Sequence, residues 1–159
     1  MKTALLALAA TAFVAGPVSA QVPTGTMGEL RPDQKQFFDL YKQLVETDTS
    51  ITSVDDPANG GCTQAAAQIA ARLKAAGFAD DQITLFSVPE HPKEGGIVAV
   101  YPGTSTTLKP ILLLAHIDVV AAKRADWVRD PYKLVEENGY YYARGIADDK
   151  MMAATWADT

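Results

Sequence analysis

From residue 32 onward, apolar positions recur at helical spacing. Phe37, Leu40, Tyr41, Leu44 and Val45 fall on one face of a 3.6-residue period, and Pro32-Asp33 suits a first helical turn. The next stretch, "TDTSITSVDDPANGG", is rich in turn formers and reads as a loop. A second helix is predicted from about Thr63, burying Ala66, Ile69, Ala70 and Leu73. It stops at Gly77, where Phe78 can fold back on the last turn. Three strands follow in the pattern: "QITLFSV" (82–88), "GIVAVYP" (96–102) and "PILLLAH" (110–116). The third has no polar face, so it is predicted as a central strand covered on both sides. "YKLVEENGYYYARG" predicts a hairpin turning at Asn138-Gly139. A last helix is expected over Lys150–Ala157, with Asp148 or Asp149 placed to cap its first amides. This order of elements predicts an α/β fold, a three-layer α/β/α sandwich around a mixed sheet.

The first twenty residues change the picture. "MKTALLALAATAFVAGPVSA" begins with Lys2, continues through about a dozen apolar residues and closes on Val18-Ser19-Ala20, the form of a secretory signal. Its apolar run is short of the roughly 18 residues a membrane span requires. Residues 1–20 are therefore expected to be a cleaved signal peptide, residues 21–31 a flexible lead-in, and the product exported to a periplasm or secreted, with no membrane attachment after cleavage. The 159-residue chain is 48% hydrophobic and 21% charged, a globular balance. Its formal net charge is −5 with no Lys/Arg cluster, which argues against nucleic acid as a partner. One cysteine, Cys62, excludes an internal disulfide and a cysteine-built zinc site.

Candidate chemistry sits at two places. Side chains two apart on a strand share a face, so His116 and Asp118 project together from the carboxyl end of the most apolar strand. A carboxylate there can hold one imidazole nitrogen while the other faces a metal; a histidine satisfied at a strand end is the plain alternative. Asp148 follows the small-residue turn Gly145-Ile146-Ala147, where backbone can approach a ligand closely. Its carboxylate could bridge two cations, or could simply cap the helix. The residues alone leave both readings open at each place. His91 in "PEHPKEG" and Glu136-Glu137 at the hairpin read as surface. Trp127, Tyr132 and Tyr140–Tyr142 read as packing, and Cys62 as a buried or idle thiol. Arg144 reads as fixing its loop through hydrogen bonds.

Taken together, "HIDVV" and "DWVRDPYKLVEENGYYYARGIADDK" resemble the co-catalytic zinc exopeptidase family that includes aminoacylase, carnosine dipeptidase, glutamate carboxypeptidase, acetylornithine deacetylase and succinyl-diaminopimelate desuccinylase. Trp127, Asp130-Pro131-Tyr132, Asn138-Gly139 and Arg144-Gly145 fall in the family's order. Ala121, Ala143 and Met151 depart from its usual proline, glycine and glycine. The resemblance implies that His116 ligates one metal, that Asp148 bridges two, and that Asp118 joins the catalytic set by orienting His116. It implies a cis peptide after Asp148. The implied cofactors are two zinc ions, or other divalent ions such as cobalt, and the implied substrate is a peptide or an N-acyl amino acid. The general-base glutamate, its neighbouring ligand, a further acidic ligand and a distant histidine all belong downstream of Asp-Asp-Lys in that family.

Residues 32–159 are accordingly expected to be the amino-terminal part of a metallopeptidase catalytic domain, incomplete at its carboxyl end and inactive alone. A homodimer is open to the full-length protein. A non-catalytic exported module that keeps the fold, and a metallodeacylase acting on a non-peptide amide, are the alternatives.

Overall fold

A computed structural model describes residues 28–50 and 59–158. The expected signal segment, most of the lead-in and the middle of the first loop lie outside the described residues. Three helices carry the core: α1 (Pro32–Glu46), α2 (Gly61–Ala75) and α3 (Lys150–Asp158). Between α2 and α3 lie two antiparallel pairs, β1 (Ile83–Val88) with β2 (His91–Ala99), and β3 (Val135–Glu137) with β4 (Tyr140–Tyr142). The chain thus mixes helices with small antiparallel sheets.

Helix α1 buries Leu40, Tyr41, Leu44 and Val45, the apolar face read from the sequence. Proline opens it, and the Arg31 backbone N–H donates to Gln34 Oε1 at 3.1 Å, satisfying an amide at the helix entrance. Helix α2 starts two residues before the expected Thr63. Gly61 takes a φ of +69° and donates its N–H to Asn59 Oδ1 at 2.7 Å and to the Asp48 carbonyl at 3.0 Å, so the turn into the helix is completed earlier. Its end is a Schellman motif. Phe78 N–H reaches the Leu73 carbonyl, Gly77 N–H reaches the Lys74 carbonyl, and Gly77 has a φ of +100°. A Cβ at Gly61 would lie 2.6 Å from both the Lys93 Cβ and the Lys93 carbonyl oxygen. Gly61→Ala is therefore expected to cost about 1–3 kcal/mol, combining positive φ with overpacking, read as a lowered urea midpoint at unchanged slope.

The core joins α1, α2 and α3 through Leu44, Val45, Ala65, Ile69, Ala153 and Ala154, with α2 also packed on β2. The β3–β4 hairpin turns at Asn138 (φ 54°) and Gly139 (φ 79°), two left-handed residues that match a type I′ turn. Strand β2 departs from expectation by beginning at His91 rather than Gly96 and ending at Ala99. The ladder runs from Ile83 opposite Ala99 to Ser87 opposite Gly95, then shifts so that Val88 faces His91. His91 is thus part of a strand rather than a loop, though it is exposed as expected.

The central strand expected over 110–116 is not formed. Among the described residues no extended segment lies alongside it, and a strand without a hydrogen-bonded neighbour gains neither ladder nor cover. Ile111 and Leu112 are 87% and 81% exposed. The segment is tethered at its far end instead, where Ser50 and Val119 form a parallel bridge and Trp156 Nε1 donates to the Leu114 carbonyl at 3.3 Å. Among the described residues no helix is long and apolar enough to cross a membrane.

Candidate metal centre

The tethered segment delivers His116 and Asp118, and the turn before α3 delivers Asp148. They meet although 32 residues separate His116 from Asp148. His116 Nε2 lies 2.9 Å from Asp148 Oδ1, and His116 Nδ1 lies 3.2 Å from Asp118 Oδ1. The imidazole therefore stands between two carboxylates. All three residues line a cleft of about 290 Å³ whose floor includes Gly145 and Arg144. The Asp148 side chain is 90% exposed, so its carboxylate opens to the cleft.

Gly145 explains how the turn comes so near. Its φ is +75°, and a Cβ there would lie 2.5 Å from Val119 Cγ1. The Asp148–Asp149 peptide is cis, as the resemblance implies. Neither aspartate side chain caps α3, contrary to the capping alternative. The Asp149 carbonyl receives Ala153 N–H at 3.0 Å, and the Asp148 carboxylate is turned to His116 instead.

A neutral imidazole carries one N–H, so it can donate to one carboxylate only. With Nδ1–H directed at Asp118, the Nε2 lone pair points at Asp148, and that contact needs a cation between or on the two groups. A proton on that nitrogen is one way to satisfy it. Burial pulls the His116 pKa down, but the Asp148 hydrogen bond and the Asp118 charge outweigh it, and the net displacement is upward. Asp148→Asn removes a carboxylate that favours the imidazolium, so the His116 pKa is expected to fall in an NMR titration. A divalent ion could take the place of that proton, and the donor set of one imidazole and one carboxylate suits zinc. Among the described residues no group of three or more His, Cys, Asp or Glu is arranged to hold a metal, so the fit covers part of a coordination shell.

Residues 112–159 match the sequence pattern of peptidase family M20/M25/M40. Over that segment the chain resembles members of this family. It is 31% identical over 128 residues to acetylornithine deacetylase of Dictyostelium discoideum, covering 73% of this chain and 28% of that protein. It is 39% identical over 62 residues to aminoacylase-1 of Homo sapiens, covering 38% of this chain and 15% of that one. Over 71 residues it is 39% identical to an N-fatty-acyl-amino acid synthase/hydrolase of Xenopus tropicalis, covering 43% of this chain and 14% of that one. The chain thus spans under a third of the length of these relatives.

Of the other residues singled out from the sequence, Arg144 lines the cleft. Arg144 is held by its backbone N–H to the Pro131 carbonyl at 2.7 Å, and its guanidinium sits 5.1 Å over the Trp127 ring. Its Nε is buried without a hydrogen bond, so side-chain hydrogen bonding at that atom does not fix the loop as expected. Tyr132 accepts the Ala122 N–H on its hydroxyl at 3.2 Å, and Glu137 pairs with Arg129 beside the hairpin. Cys62 is buried, and burial raises its thiol pKa.

Lys150 was not legible as a site residue. Its side chain is fully buried, and Nζ donates to the Thr47 carbonyl at 2.7 Å. Burial pushes its pKa down to about 8, against the opposing pull of the Asp48, Cys62 and Asp118 charges. Buried lysines are rare enough that only its place directly after Asp148-Asp149 could have drawn notice.

Proposed function

We propose that this chain supplies the His116–Asp148 side of a dinuclear zinc centre in an exported hydrolase that cleaves the amide bond of N-acyl amino acids or peptides. The observation that carries the reading is one imidazole held between two carboxylates at an open cleft. Asp118 fixes the ring and its tautomer through Nδ1, leaving Nε2 for a cation. Asp148, with its carboxylate exposed, has an oxygen to offer a second ion, in keeping with the bridging role the resemblance implies. When bound, zinc supplies Lewis acidity toward a carbonyl and a lowered pKa for a water. The names of the relatives, a deacetylase, an acylase and an acyl-amino acid hydrolase, favour an N-acyl amino acid as substrate.

Residues 32–159 are on this reading the amino-terminal part of a catalytic domain whose complete form is an α/β/α sandwich, and a homodimer is open to the full-length protein. The hydrophobic leader directs export. On this reading the general base lies outside these residues, in keeping with a cleft whose lining among the described residues includes no glutamate. Zinc titration followed by an assay on N-acetyl amino acids and dipeptides tests the reading. The expected result is zinc bound with no turnover by the 159 residues alone. Chelator-sensitive turnover overturns the absence of a base, and no zinc binding favours a non-catalytic module.

A further inference from the structure

The described core contains buried polar groups that the cleft does not use: Thr47, Thr49 and Ser50 in the stretch leaving α1, and Lys150 at the start of α3. They are not scattered. The Thr47 carbonyl takes the Lys150 ammonium at 2.7 Å. Two residues on, Thr49 Oγ1 donates to the Ile117 carbonyl at 2.7 Å, and the Thr49 carbonyl receives Val119 N–H at 3.3 Å. One short stretch therefore grips both halves of the candidate centre. Ile117 lies between His116 and Asp118, and Lys150 lies two residues after Asp148.

We propose that Thr47–Ser50 is a positioning segment, which sets the separation of His116 and Asp148 through Thr49 on one side and Lys150 on the other. The segment is itself stiff. Asp48 Oδ1 accepts the Ser50 N–H at 2.9 Å and the Ser50 hydroxyl at 2.7 Å, and the Asp48 carbonyl ties to Gly61 at the head of α2. On the Asp148 side the grip is two-sided. Tyr41, from α1, donates its hydroxyl to the Ile146 carbonyl at 3.0 Å, so Asp148 sits between residues 146 and 150, both anchored to α1 or its exit. On the His116 side no described strand flanks residues 110–116, so the Thr49 bonds to Ile117 and Val119, together with the Trp156 bond to Leu114, set where the imidazole ends up. A buried lysine spanning to a backbone carbonyl is a demanding way to satisfy one acceptor. Its placement is accounted for if the distance between two loops matters. The functional meaning rests on the metal reading above; the geometry does not.

The test uses the metal-free, 15N-labelled 159-residue chain. It has two histidines, and His91→Gln assigns their signals. Ring 15N shifts are read from the carbon-bound ring protons at a single, mildly acidic pH where the imidazolium predominates. Thr49→Val and Lys150→Met are each expected to move the His116 Nε2 shift toward that of the exposed His91, while Thr49→Ser, which keeps the hydroxyl, leaves it in place. An unmoved Nε2 shift in folded Thr49→Val overturns the proposal, even if its Tm falls, because a purely structural role would give that result. An equal displacement in Thr49→Ser overturns it too. Should Lys150→Met fail to fold, the threonine pair decides. Zinc affinity is expected to drop about tenfold or more in Thr49→Val, as for other residues that orient ligands. If the parent chain binds no zinc yet the ring shifts move as expected, the positioning role stands and the metal reading falls.

Discussion

Asp148→Ala is expected to weaken zinc binding by about 100-fold or more, since residues that merely orient ligands already cost 10–100-fold. Asp118→Asn should fall in that lower range, because the amide can still face Nδ1 but no longer fixes the tautomer as a carboxylate does. The ordering is the point of the experiment. Asp148 touches Nε2, the nitrogen left to the cation, whereas Asp118 touches Nδ1. Competition titration of both variants against a zinc-sensitive dye measures it. Equal losses would place Asp118 and Asp148 in the same role and remove the distinction drawn between the two sides of the ring.

The second large effect concerns Lys150 and alkaline pH. Its folded pKa, about 8, lies below the ordinary 10.5. Between those values the unfolded chain holds a proton that the folded chain has released, so stability rises with pH across that window. The gain is at most about 3 kcal/mol, from about 1.36 kcal/mol per pH unit of displacement. Cys62 and Tyr41 work the other way. Burial raises both pKa values, that of Tyr41 to about 12, so the stability they contribute is lost as pH climbs past the unfolded values of 9.0 and 10.0. The difference between the parent chain and Lys150→Met therefore removes the Tyr41 contribution and reports the lysine together with its smaller coupling to the Cys62 thiol. Urea unfolding at pH 8 and pH 10 should show the parent gaining on the variant by about 2 kcal/mol. A constant difference across those two pH values would mean that Lys150 keeps an ordinary pKa in the fold.

Short-range physics made much of the fold legible in the residues. The apolar face of α1, the glycine stop of α2 and the Asn138-Gly139 hairpin each depend on a few neighbouring positions, and each formed as read. The cis peptide was legible only through the resemblance. What could not be read depended on distant chain. "ILLLA" announces burial, yet burial needs a partner on each face and strand neighbours on each edge, and the described residues offer neither. Lys150 failed in the opposite sense. A lysine beside two aspartates reads as solvated, and only the Thr47 carbonyl, 103 positions away, makes its burial tolerable. The His116–Asp148 encounter lay between these cases. Each half could be recognised, but their approach depends on Gly145 having no Cβ to strike Val119.

The segment 110–114 has a practical corollary. Ile111, Leu112 and Leu114 stand in water, and most of their backbone groups offer open edges to any extended strand that drifts past. Such a ribbon is adhesive. Association of this polypeptide through that ribbon should rise with its concentration.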